Sequence, residues 1–140
     1  MAEKVEFASP EWHAKLRDLL DRYAAAEGPT LELTLCEVFT AVPAHLDRDG
    51  SGRFAWHCRI SGGKVEFNEG EVPEADIKTV ADYDFVLQLA RMKMEEETLA
   101  EYRAIQAEGA ALGKLNTTGD NSKVPPSFYG MHNEMAEVTA

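Results

Sequence analysis

Apolar residues recur at helical spacing from Trp12 onward, with Leu16, Leu19, Leu20 and Tyr23 following on one face. That period predicts an amphipathic N-terminal helix. Ser9 is placed to cap it, Pro10 suits its first turn, and Gly28-Pro29 ends it. The period then changes. "LELTLCEVFTAV" (31–42) alternates through Leu31, Leu33 and Leu35 and slips phase at Cys36–Glu37. Such a slip predicts a strand with a bulge, or one buried on both faces. "RFAWHCRI" (53–60) alternates cleanly, which turns Phe54, Trp56, Cys58 and Ile60 inward and Arg53, His57 and Arg59 outward. After a tight "SGG" turn, "KVEFN" (64–68) places Val65 and Phe67 inward. Short turns between these strands predict an antiparallel meander.

"EGEVPEAD" interrupts the pattern with Gly70 and Pro73, and a short strand is expected at 76–81. Asp82 then caps a helix carrying Phe85, Val86, Leu89, Ala90 and Met92. A second helix, 96–109, shows Leu99, Tyr102, Ile105 and Gln106 on one side and ends at Gly109. "LGKLNTTGD" reads as a last short strand and "NSKVPPS" as a loop. Phe128, Met131 and Met135 recur on one face of a closing helix capped by Ser127. The order of elements defines a single α+β domain over 1–140.

Composition narrows the class. The hydrophobic share of 44 % in 140 residues is that of a folded domain with one core. No apolar run is long enough to span a bilayer, which argues against stable membrane insertion. The opening "MAEKVEFASPEW" has no apolar segment of the secretory kind, so the cytoplasm is the expected compartment. Fourteen basic against 25 acidic side chains give a net charge of −11, which repels nucleic-acid phosphates. Cys36 and Cys58 both fall in expected strands and read as small buried thiols.

One stretch imitates a metal site. In "HLDRDGSGRF" (45–54), Asp47, Asp49 and Ser51 fall at the first, third and fifth places of a calcium loop, with Gly52 at the sharp turn. The bidentate Glu that such a loop requires at its end is here Cys58, and the following segment alternates like a strand. The stretch therefore reads as a turn. His13, His45, His57 and His132 show no zinc-ligand spacing, and no nucleophile elbow or phosphate loop is present. Nothing in the chain calls for a cofactor or a metal, and no constellation marks a catalytic centre.

The order of elements resembles the sterol carrier protein (type 2) family. "GKVEFNEGEVPEADIKTVADYD" (63–84) looks like that family's strand, Gly-and-Pro connection and strand running into a helix. "GAALGKLNTTGD" (109–120) is similar to its G-K-L-x-x-x-G-D strand before the last helix. The resemblance implies a five-stranded, mostly antiparallel sheet with helices packed on one face and an apolar tunnel between them. Such a tunnel would take a sterol, a fatty acid or another acyl chain, including an acyl-CoA. The residues expected to line it are Trp56, Phe85, Leu89, Met92, Leu99, Tyr102, Phe128, Met131 and Met135. Methionine suits a cavity for ligands of varied shape because it is flexible and polarizable. In the family's arrangement the last helix covers one end of the tunnel, so it is expected to act as a lid that the domain folds without.

Two other functions remain open from sequence. The same fold would serve an enzyme of steroid or acyl-thioester degradation, with His57, His132, Glu134 or Asp120 as acid or base. An interaction module would instead use the acidic segment Glu95 to Glu108 against a basic partner. Monomer and dimer are equally compatible with the chain.

Overall fold

A computed structural model describes residues 4–140; the first three residues of the expected 1–140 domain lie outside the described range. Helix α1 runs Pro10–Glu27, with the Trp12 amide donating to the Ser9 hydroxyl at 3.2 Å and Gly28 closing the helix at φ 94°. Strands β1 (Leu33–Thr40), β2 (Arg53–Ser61) and β3 (Lys64–Glu69) follow, then β4 (Ile77–Asp82), helices α2 (Tyr83–Ala90) and α3 (Leu99–Leu112), strand β5 (Leu115–Gly119) and helix α4 (Phe128–Val138). The strands form an open sheet in the order β3-β2-β1-β4-β5. Every neighbouring pair is antiparallel except β1 with β4. The fold is α+β, as the pattern predicts.

β1 is the central strand. Its register is unbroken on both sides, pairing Leu35 with Cys58 and Ile77, and Glu37 with Trp56 and Thr79. There is no bulge. The helices cover the face that carries Leu33, Leu35, Glu37 and Phe39. Across the other face passes the 70–76 connection, tied down by Arg53 and Lys78 to Glu71 and by His57 Nδ1 donating to the Gly70 carbonyl. Cys36 and Val38 are therefore buried on that side as well. Apolar residues on both faces are what break the alternation in sequence.

The β2 alternation holds: Phe54, Trp56, Cys58 and Ile60 are buried, and Arg53 and Arg59 are exposed. The β2–β3 turn uses Gly62 and Gly63 at φ 61° and 77°, the conformation a two-residue hairpin of this twist demands. The β1–β2 connection departs from the expected short turn. It includes a helical turn at Ala44–Leu46, and Asp47 accepts from the amides of Gly50 and Gly52 at 2.9 and 2.8 Å. Both carboxylate oxygens of Asp47 are thus committed to the loop's own backbone.

Helix boundaries shift where glycine is ambiguous. Gly109 lies inside α3, not at its end, because an added methyl there would overlap the Phe85 ring and meet Leu115 Cβ at 2.9 Å. Gly113 ends the helix instead, at φ 71°, with Lys114 N donating to the Gly109 carbonyl. Ser127 does not cap α4; it is itself helical, and the Phe128 amide donates to the Pro125 carbonyl.

The closing helix is packed into the core rather than laid over it. Phe128, Met131, Met135 and Ala136 are buried, and Trp12 Nε1 donates to Thr139 Oγ1 at 3.0 Å. Tyr23 Oη donates to Glu134, and Val5 bridges to Thr139. These contacts join α4 to the first helix and the N-terminal segment.

Candidate functional site

A cavity of about 260 Å³ lies between the sheet and the helices. Its floor is built from every other residue of the strands: Leu35 and Glu37 of β1, Trp56 of β2, Thr79 of β4, Leu115 and Thr117 of β5. Strand register brings these onto one face, since Glu37 stands opposite both Trp56 and Thr79, and Thr79 opposite Thr117. The helices supply the roof. α1 gives Trp12, Leu16 and Leu20; α2 gives Val86 and Leu89; α3 gives Tyr102 and Gln106; α4 gives Met131, His132 and Met135. A second cavity of about 370 Å³ shares Leu35, Tyr102, Gln106, Met131 and His132 with the first and extends to Phe128 and Tyr129. The two abut across those shared walls.

Of the residues expected at the site, Trp56, Leu89, Tyr102, Met131 and Met135 line the first cavity, and Phe128 lines the second. Phe85, Met92 and Leu99 line neither. Phe85 packs on Gly109, Met92 falls beyond the end of α2, and Leu99 opens α3 on the surface.

The polar groups of the cavity are few, and the most consequential is Glu37. Its side chain is half-buried and borders the cavity. Among the described residues no donor reaches its carboxylate, and no lysine or arginine lines the first cavity. Desolvation alone pushes its pKa up from 4.5 to about 7. The neighbouring titratable groups are neutral. Burial, and then the Glu37 charge, push Tyr102 up to about 12, and burial does the same for Cys58. Burial lowers the pKa of His132, whose Nε2 donates to the Met92 carbonyl at 2.8 Å. Periodic reasoning missed Glu37. Continuing the Leu33, Leu35 alternation for one more step would have found it.

The other acid–base candidates stand elsewhere. His57 faces the 70–76 connection on the opposite side of the sheet. Glu134 is taken by Tyr23 and Arg22, and Asp120 accepts from the Ser122 amide and hydroxyl on the surface. Only His132 lines the cavity.

The open five-stranded sheet with helices on one face is a fold shared with a solved sterol carrier protein. In particular, the chain aligns with the crystal structure of sterol carrier protein 2 at a TM-score of 0.58 and 15 % identity, covering 96 % of this chain and 100 % of that one. The two share a fold. A conserved hypothetical protein of Thermus thermophilus, described as possibly a sterol carrier protein, aligns over 100 % of this chain and 96 % of its own, with a TM-score of 0.49 and 18 % identity. Against a stereoselective inverting sec-alkylsulfatase from Pseudomonas sp. the values are 0.41 and 16 %, with 83 % of this chain covered; the chain spans 14 % of that protein's length. No protein-family model and no curated protein matches the sequence.

Proposed function

We propose that this protein binds an apolar small molecule, a sterol or a single-chain lipid, in the cavity between sheet and helices, and carries it through the cytoplasm. The observation that supports this most is the lining: aliphatic, aromatic and methionine side chains from α1, α2, α3 and α4 over a mostly apolar floor. A largely apolar pocket with a few placed polar groups is the usual form of such a site. The fold shared with sterol carrier protein 2 supports the reading. Trp56, Leu89, Tyr102, Met131 and Met135 form the contact surface in this reading, with Phe128 at the adjoining cavity.

Both tryptophans of the chain, Trp12 and Trp56, line the cavity, so occupancy has a built-in reporter. Titration with decan-1-ol is expected to give a saturable change in their emission. Thr117 is exposed at the sheet edge and borders the same cavity, so Thr117→Trp should obstruct it without disturbing the core. That variant is expected to stay folded and to weaken decan-1-ol by about tenfold or more, roughly 1.4 kcal/mol. A linear, non-saturating response in the wild type would remove the proposal.

A further inference from the structure

Glu37 is a carboxylate with no counter-charge on the floor of a mostly apolar cavity, where a bound ligand can supply one. We propose that the cavity selects amphiphiles whose buried end is a protonated amine, held by Glu37, over those ending in a carboxylate. The inference rests on the cavity reading above and specifies the ligand's polar end.

Three observations carry it. Glu37 stands at the centre of the floor, between Trp56 on β2 and Thr79 on β4. It has no hydrogen-bond or ion-pair partner among the described residues, and its half-buried carboxylate is left with unfilled acceptor sites toward the cavity. No lysine or arginine lines the first cavity, Arg103 standing in the adjoining one, so a fatty carboxylate seated beside Glu37 would face a like charge with no cation next to it to offset the repulsion. An ammonium is matched on every count: it brings the opposite charge and three donors to a site with an unfilled acceptor. The hydroxyls of Thr79 and Thr117 and the amide of Gln106 lie on the same walls and offer it further oxygen acceptors. A neutral hydroxyl satisfies one lone pair and leaves the charge uncompensated. The expected order of affinity above neutrality is therefore amine, then alcohol, then carboxylate.

Protonation of Glu37 sets a pH window. An alkylammonium stays charged to about pH 10, as the lysine head group does. Glu37 becomes neutral below its raised pKa of about 7, so the amine's advantage should fade on acidification. The other titratable groups facing this region are His132 from α4, Tyr102 from α3 and Cys58 from β2. Helices α1 and α2 and strands β4 and β5 present none to the cavity. Tyr102 and Cys58 stay neutral throughout, whereas His132 charges only toward acid and would also repel an amine there.

The test is to titrate the whole chain with decylamine, decan-1-ol and decanoate at high ionic strength, near pH 8.5 and near pH 5.5, following tryptophan emission. Near pH 8.5 the wild type is expected to prefer decylamine to decanoate by about tenfold or more, about 1.4 kcal/mol. Glu37→Gln should remove that preference. Glu66→Gln, on the exposed outer face of β3, should keep it and so exclude general surface attraction. Equal affinity for amine and carboxylate in the wild type, with decan-1-ol still bound, would overturn this proposal and leave the cavity reading standing. So would a preference, or a pH profile, that persists in Glu37→Gln, the latter assigning the titration to His132. Failure of the wild type to bind decan-1-ol would overturn both.

Discussion

Glu37 costs the fold something whenever it is charged and alone. A carboxyl whose pKa is higher folded than unfolded binds more protons in the native state between the two values. Its contribution is therefore favourable at low pH and is lost as pH rises from about 4.5 through about 7. The full span corresponds to an upper bound of roughly 3–4 kcal/mol, less to the extent that the half-buried side chain is hydrated. Glu37→Gln has no proton to lose, so its stability relative to wild type should increase between pH 5.5 and pH 8.5. Urea midpoints of the two proteins at those pH values measure it, and a constant difference would show that the carboxyl is well solvated. This residue also marks where sequence legibility ended. Trp56, Cys58 and Ile60 were readable because one side of β2 is polar. Glu37 was hidden because β1 is apolar on both faces at Cys36 and Val38, which blurs the phase of the strand that carries it.

Elements were legible where a cap or a turn residue had one meaning. Ser9-Pro10 and Asp82 start α1 and α2 as expected, the Asp82 carboxylate accepting from the Phe85 amide at 3.0 Å. Gly109 had two meanings, and packing chose the second. A methyl at Gly109 would intrude on Phe85 and Leu115, so Gly109→Ala should destabilise the domain by about 1–3 kcal/mol despite alanine's better helix propensity. Phe85→Leu in the same chain should recover part of that loss; chemical denaturation of the single and double variants decides it. α4 is the element whose role changed most between pattern and fold. Phe128, Met131 and Met135 each contribute about 1.5–3 kcal/mol by burial, together comparable with the roughly 5–15 kcal/mol net stability of a whole domain. The Trp12–Thr139 hydrogen bond is lost with the helix as well. Deleting residues 127–140 should therefore unfold the protein. A cooperative thermal transition in the truncated chain would restore the lid.

At the scale of the molecule, the surface is acidic and the interior largely apolar, with Ser9, His13, Thr139 and the half-buried Glu37 among its polar groups. The ion pairs of the surface, such as Arg48 with Glu69 and Arg53 with Glu71, are half exposed and add little to stability. The sheet order was readable only in part. A meander followed from short turns, but the parallel β1–β4 pair depends on the 70–76 crossing, which leaves no periodic trace. The cavity likewise has no signature of its own, since a residue lining a void and one filling a core are equally apolar. What distinguishes them is energetic. A packed core gains nothing from an added apolar molecule, whereas unfilled space forfeits contacts that a ligand restores. A ligand that binds only the folded state also stabilises it by mass action, by about 2.7 kcal/mol at a free concentration one hundred times its dissociation constant. Decan-1-ol at that level should raise the calorimetric transition of the wild type by several degrees. The shift should be small in Thr117→Trp, where the indole already occupies the mouth. An equal shift in both proteins would mean that the alcohol binds outside the cavity, and an absent shift in both would mean that the space is closed to ligand.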